Sequence, residues 1–237
     1  MAGGLHARVL EELGAGIVSG RHPAGTVMQA DPLMREFGVS RSVIREAVRV
    51  LQSLGMVETV KRLGIRVLPL ARWSLYDPLL IRWRLAQPSQ GIQLRSLTEL
   101  RSAIEPAAAE LAAETAPDEV RTALTELAEE MRAVGRAGDL DTFLALDIRF
   151  HSLVLHASGN EMFAQLDAAV AEVLTGRTHY GLMPTHPHEE ALQLHVDVAQ
   201  AIAARRPADA HSAMDRIMRR TATEVESIWD GQPRLHL

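Results

Sequence analysis

The sequence predicts a mostly α-helical protein: an N-terminal unit of three helices plus a β-hairpin, followed by an all-α antiparallel helical bundle. Aromatic residues make up only 4% of the 237 residues, whereas Ala and Leu abound, which favours helices over a β-sandwich. Strand-like segments are confined to residues 55–69. Because the chain is long for one helical domain, we expect two domains, at residues 1–70 and 71–237.

The N-terminal unit begins with two helices and a turn. The first helix has one apolar stripe at helical spacing, formed by Leu5, Val9, Leu10, Leu13 and Ile17. Asp31 followed by Pro32 resembles an N-cap and a first helical residue, which predicts a short second helix over residues 33–37. A tight turn at Gly38 follows, and Ser40 is predicted to cap the third helix.

The third helix has an apolar face and a basic face. The apolar face, which we expect in the core, comprises Ile44, Ala47, Val48 and Leu51. The opposite face carries Ser42, Arg45 and Arg49, with Arg41 in the first turn. Guanidinium groups can bind guanine O6 and N7 in a major groove or clamp phosphates, and serine hydroxyls reach phosphate oxygens. An arginine-bearing face can also be merely solvated, but its position after two helices and a turn favours DNA binding.

A basic hairpin completes the unit. Residues 55–60 and 65–69 are predicted as two strands around a tip that contains Lys61, Arg62 and Gly64, and the glycine would allow a close backbone approach to DNA. Residues 1–70 carry nine basic and six acidic residues, whereas the remainder carries sixteen and twenty-four. We therefore expect a winged helix-turn-helix that meets a polyanion, joined to an acidic body that does not.

Composition also bears on the compartment. The chain has no cysteine, which excludes disulfides and thiolate metal sites and is compatible with a reducing cytosol. The N-terminal segment lacks the apolar core of a signal peptide, and no apolar run approaches transmembrane length. We expect a soluble, cytoplasmic protein that does not bind membranes.

The C-terminal body is predicted to be helical throughout. We place its helices at residues 75–86, 91–115, 117–136, 139–157, 160–180, 188–205 and 207–229. Short connections between amphipathic helices imply antiparallel packing into a bundle.

Three polar residues of the body form a candidate metal site. Asp147 and His151 are four residues apart and therefore project from one face of a helix, among apolar neighbours. His195 lies in a similar apolar segment of another helix. Burial of a carboxylate and two imidazoles is costly unless a partner compensates, and a divalent cation would compensate all three. A surface ion pair and a hydrogen-bonded core histidine are the alternatives.

The N-terminal residues resemble a known family. Residues 37–47, with 54–57 and Gly64, resemble the winged-helix signature of the GntR family. The resemblance implies a homodimer on operator DNA, with contacts from Ser40, Arg41 and Arg45. The segment between Gly25 and Arg41 is one residue shorter than the family pattern, which predicts a late start of the second helix.

The body resembles the FCD domain of the FadR branch of this family. The resemblance rests on residues 147–151 and 158–160 and on His195. It implies that Asp147, His151 and His195 bind a divalent metal, zinc before nickel, iron or manganese. The family's third histidine, on the last helix, is replaced by Ile217, so a retained metal would have open positions for an effector.

Residues 73–83 and 99–106 resemble regulators of sugar-acid catabolism. Arg101 lies on a helix whose apolar residues face the core, where a guanidinium can bind a carboxylate through two hydrogen bonds. Arg177 is a second candidate, and an internal ion pair is the alternative for both.

The predicted function is a DNA-binding repressor controlled by a small carboxylate, a sugar acid of the aldonate type. A metal-free sensor of a dicarboxylate or an acyl ligand remains an alternative. A metalloenzyme is less favoured, because no general base stands out beside the three polar residues.

Overall fold

The computed structural model describes residues 4–179 and 187–235. The chain divides into two compact units. The first is formed by residues 1–90 and 234–237 and the second by residues 91–233. None of the described helices is long and apolar enough to cross a membrane.

The first unit contains four helices, one 3₁₀ turn and a small sheet. In chain order these are α1 (Leu5–Val18), β1 (Val27–Met28), α2 (Ala30–Phe37), α3 (Arg41–Ser53), β2 (Val57–Val60), β3 (Gly64–Val67), the 3₁₀ turn (Leu70–Arg72) and α4 (Pro78–Leu85). The strands are antiparallel in the order β1-β3-β2. Strand β1 was not predicted from the sequence, because two residues are too few to show an alternating pattern.

The core of this unit confirms the predicted apolar stripes except at Leu5, which is 54% exposed at the first residue of α1. Leu13, Ile44 and Leu51 are each at most 1% exposed. Helix α2, however, begins at Ala30, with Gln29 as its N-cap, so the predicted N-cap at Asp31 and the late start are wrong. Pro32 fits inside the first turn because backbone N–H groups there have no helical partner to lose.

Helix α4 packs within the first unit. Leu80 and Trp83 are buried in the same apolar cluster as the three preceding helices. The indole Nε1 of Trp83 donates to Glu11 Oε2 at 2.5 Å, and its ring passes so close to Gly14 that a Cβ there would lie 2.4 Å from ring atoms. The division between the units therefore lies after residue 90, later than the boundary expected at 70/71.

The second unit is entirely helical over its described residues. It contains α5 (Gln90–Thr115), α6 (Asp118–Ala137), α7 (Leu140–Ala157), α8 (Glu161–Ala164), α9 (Asp167–His179), α10 (Glu189–Ala203) and α11 (Pro207–Trp229). Helix α10 packs against α6 and α11, and α7 packs against α6, α8 and α9. The helix predicted over 160–180 is split, because Asn160 caps the one-turn helix α8 and the chain turns before α9.

Candidate metal and effector site

Helices α7 and α10 bring the three predicted metal ligands together. Nε2 of His151 and Nε2 of His195 each lie 3.3 Å from Oδ1 of Asp147. One potential ligand atom from each residue lies within 4.8 Å of the others. Asp147, His151 and His195 are 6%, 2% and 5% exposed, so bulk water does not solvate them.

The polar atoms of this triad fit a cation. Nδ1 of His195 lies 2.8 Å from the Ala191 carbonyl oxygen, and that contact requires the proton on Nδ1. Nε2 of His195 is then a bare acceptor that faces the Asp147 carboxylate, and both Nε2 and Asp147 Oδ1 lack a hydrogen-bond partner among the described residues. Two buried acceptors that face each other are unfavourable unless a positive ion or a donor lies between them.

Glu105 supports the triad and was not predicted as a site residue. It lies on α5 at 1% exposure, with Oε2 placed 2.5 Å from Nδ1 of His151 and Oε1 placed 2.5 Å from Nε of Arg101. A carboxylate on the second nitrogen of a histidine ligand fixes the orientation and the tautomer of the ring. The i,i+4 spacing of Arg101 and Glu105 on an apolar helix was the available sequence signal.

The charges of this cluster shift one another's pKa values. Burial raises the pKa of Glu105, but Arg101 and His151 outweigh burial and hold it at about 2. Burial lowers the pKa of His151, but Glu105 and Asp147 outweigh burial and raise it to about 9. Burial raises the pKa of Asp147, but the charge and hydrogen bond of His151 outweigh burial and hold that pKa well below its usual value. In the absence of a metal, His151 is therefore protonated at neutral pH and stabilises both carboxylates.

Two buried arginines line the same cavity as the triad. Arg101 is bound to Glu105 but keeps an unpartnered Nη1 among the described residues, and Arg177 keeps an unpartnered Nε. The other nitrogens of Arg177 lie 3.5 Å from Thr221 Oγ1 and 3.2 Å from Glu224 Oε2. Burial and the nearby charge of Arg101 lower the pKa of Arg177 to about 10. Both arginines therefore form an ion pair, which the sequence analysis gave as the alternative to effector binding. Each also keeps one nitrogen without a partner among the described residues.

The predicted DNA-binding side chains lie on the exposed face of α3 and on the hairpin. The side chains of Arg41, Arg45 and Arg49 are 70%, 65% and 61% exposed. Arg41 pairs with Asp31 on α2, and Glu46 pairs with both other arginines. Lys61 and Arg62 at the hairpin tip are also exposed.

Two predicted details of this surface differ in the structure. The Oγ atom of Ser40 lies 2.8 Å from Oγ of Ser42, so Ser40 occupies the N-cap position without a side-chain cap bond. At Gly64, where φ is +123°, a Cβ would lie 2.5 Å from the Met28 carbonyl oxygen. The close approach of β1 therefore suffices to explain a glycine at this position.

Comparison with known proteins places this architecture in a family. Residues 5–67 match the model for bacterial regulatory proteins of the gntR family, and residues 96–220 match the FCD domain. The chain belongs to the GntR family. It is a transcription regulator of the FCD-containing type, and relatives that it matches are named as transcriptional repressors.

Three members of the GntR family illustrate the likeness. The galactonate operon transcriptional repressor of Escherichia coli K12 is 30% identical over 70% of this chain and 72% of that protein. The gluconate operon transcriptional repressor of Bacillus licheniformis is 27% identical over 63% of this chain and 54% of that protein. A solved GntR structure from Streptococcus agalactiae is 25% identical, with a TM-score of 0.50 over 90% of this chain and 97% of that one.

This GntR-family chain has no histidine on α11 near the triad. Ile217, the residue at the position of the expected third histidine, lines the cavity at 6% exposure. His188 also lines the cavity from the start of α10, whereas His186 lies outside the described residues.

Proposed function

We propose that this chain is a repressor whose affinity for operator DNA is lowered by a small carboxylate bound in the cavity of the second unit. The observation that carries the proposal is the convergence of unpartnered, buried N–H donors of Arg101 and Arg177 with the Asp147–His151–His195 triad. Buried donors without partners are rare in folded proteins, and a carboxylate would accept hydrogen bonds from both.

Asp147, His151 and His195 would hold a divalent metal, with zinc the first choice for two imidazoles and a carboxylate. A bound metal would supply a positive charge and open coordination positions for the carboxylate and a hydroxyl of the effector. Glu105 orients His151, and Arg101 holds Glu105 in place. These are roles of the chain's own residues and do not depend on which metal binds.

The proposed effector is a sugar acid of the aldonate type. Two relatives are named as repressors of galactonate and gluconate operons, and both names contain an aldonate. An aldonate combines one carboxylate with several hydroxyls, which matches a cavity with two guanidiniums, the triad and Thr221.

On the DNA side, we propose that Ser40, Arg41, Ser42, Arg45 and Arg49 of α3 enter a major groove, while Lys61, Arg62 and Gly64 lie against the backbone. A homodimer would present two such helices to successive grooves of a palindromic operator, in the cytoplasm where the chromosome lies. Effector and operator would then each weaken the binding of the other by the same factor.

The test is to select a duplex from a random pool with the purified protein and to measure its release by fluorescence anisotropy. D-galactonate and D-gluconate should release the duplex, whereas galactitol, which has hydroxyls but no carboxylate, should not. Arg177→Met should remain bound to the duplex at acid concentrations that release the wild type. Retention of the duplex by the wild type in every acid would refute the aldonate proposal.

A further inference from the structure

The two arginines of the cavity are each paired with a carboxylate, and the two carboxylates differ in burial and in their other partners. Arg101 makes two contacts to Glu105, from Nε at 2.5 Å and from Nη2 at 3.3 Å, and Glu105 also contacts His151. Because Glu105 is only 1% exposed, its departure would leave charges buried without partners. The side of Arg101 that carries Nε and Nη2 is therefore permanently occupied.

Arg177, by contrast, contacts its carboxylate partner through one nitrogen, and a second nitrogen, Nη1, lies 3.5 Å from Thr221 Oγ1. Its Nη2 lies 3.2 Å from Glu224 Oε2, while the neighbouring Nε has no partner among the described residues. Nε and Nη2 form the side of a guanidinium that binds a carboxylate through two parallel hydrogen bonds. An incoming carboxylate that binds both Nε and Nη2 of Arg177 would therefore compete with Glu224 for Nη2.

Glu224 also contacts a second arginine, Arg220. Its Oε1 lies 3.0 Å from Nε of Arg220, and its side chain is 26% exposed, in contrast to 5% for Arg177. Arg220 also donates to Glu190 at 3.2 Å, so Glu224 belongs to a short series of ion pairs. Loss of the contact with Arg177 would leave Glu224 paired with Arg220 and partly hydrated. Replacement of Glu224 by a ligand carboxylate at Arg177 would therefore cost little free energy.

We propose that Glu224 occupies part of the effector's carboxylate site on Arg177 and that the effector must displace it. Glu224 is then a residue that sets effector affinity, by competing as an internal carboxylate. Arg101 has a different role: it positions Glu105 and His151 and offers the ligand only the terminal nitrogen Nη1. The inference rests on the proposed function, because it requires that an acid binds this cavity.

Isothermal titration of Glu224→Gln tests the exchange. Sodium D-galactonate, D-gluconate and acetate are titrated into wild type, Glu224→Gln and Glu190→Gln. The last variant removes another carboxylate that contacts Arg220, and Glu190 is not among the residues bound to Arg177. Removal of the competing charge should lower the dissociation constant for D-galactonate roughly tenfold in Glu224→Gln, and Glu190→Gln should stay within about twofold of wild type.

The possible outcomes separate the two hypotheses. If wild type binds an acid and Glu224→Gln binds it equally or more weakly, the exchange is refuted and the proposed function stands. If none of the three proteins binds any of the three acids, both are refuted. The gain must also depend on Arg177: a double variant Arg177→Met, Glu224→Gln that keeps the tighter binding would overturn the inference.

Discussion

Oε2 of Glu105 lies 2.5 Å from Nδ1 of His151, and the two side chains come from helices α5 and α7. The contact leaves Nε2 as the only nitrogen of His151 that can face Asp147 and a metal. Oε1 of the same carboxylate contacts Arg101, so one buried glutamate links the proposed metal site to an arginine of the cavity.

Glu105→Gln should weaken zinc binding and reduce stability. The substitution keeps the shape of the side chain but removes the charge that faces Arg101 and His151. We expect zinc affinity to fall about 10-fold to 100-fold, and the free energy of unfolding of the metal-free protein to fall by about 3 kcal/mol. Competition with a chromophoric chelator and urea denaturation measure the two effects. Glu114→Gln, an exposed position on the same helix, is the control. Unchanged zinc affinity in Glu105→Gln would contradict the orienting role.

The stability of chelator-treated protein should depend on pH through His151. Its pKa is raised from 6.5 to about 9 by Glu105 and Asp147, which outweigh burial. A raised folded-state pKa stabilises the protein fully below pH 6.5, and this stabilisation is lost as the pH rises through about 9. The loss should reach about 3 kcal/mol in urea denaturation. His151→Gln should lack this component of the pH profile, and identical profiles of the two proteins between pH 6 and 9.5 would count against the shift.

Ile217→His should tighten metal binding. Ile217 lines the cavity that contains the triad, and a histidine there would supply a fourth ligand, the third nitrogen among them, to complete a tetrahedral set. We expect zinc affinity to rise by about tenfold or more. Release of DNA by aldonates should weaken, because the histidine fills a coordination position of the metal that the effector would use. Leu174→His places a histidine in the same cavity from α9 and should give a smaller gain. Equal gains in both variants would show that position 217 has no special geometry.

Arg45→Ala should weaken DNA binding through loss of a phosphate or base contact. Arg45 is 65% exposed on α3 and makes a 3.8 Å ion pair with its exposed neighbour Glu46, so folding should be little affected. If the contact is to phosphate, the slope of log affinity against log salt on a random-sequence duplex should decrease in magnitude by about one. Arg219→Ala removes an arginine that is 78% exposed in the second unit and should leave the slope unchanged. A slope that responds to Arg219 and not to Arg45 would place the DNA surface elsewhere.

Several features of this protein were determined by the sequence alone. The apolar spacing of α3 placed Ile44 and Leu51 in the core, and the i,i+4 spacing of Asp147 and His151 placed both on one face of α7. Such predictions succeed because the period of a helix fixes which residues share a face, whatever the helix packs against. His195 was predicted from its apolar segment, and the family resemblance linked it to Asp147 and His151.

Other features were decided only by tertiary structure. Glu105 reaches His151 and Glu224 reaches Arg177 across helix interfaces, and no periodicity within a single segment indicates a partner on another helix. Helix α4 belongs to the first unit because Trp83 and Leu80 pack into its apolar core. The contact between Trp83 and Gly14 joins residues that are 69 positions apart in the sequence. Local sequence fixes the faces of helices, whereas the pairing of buried charges depends on distances that exist only after the helices have packed.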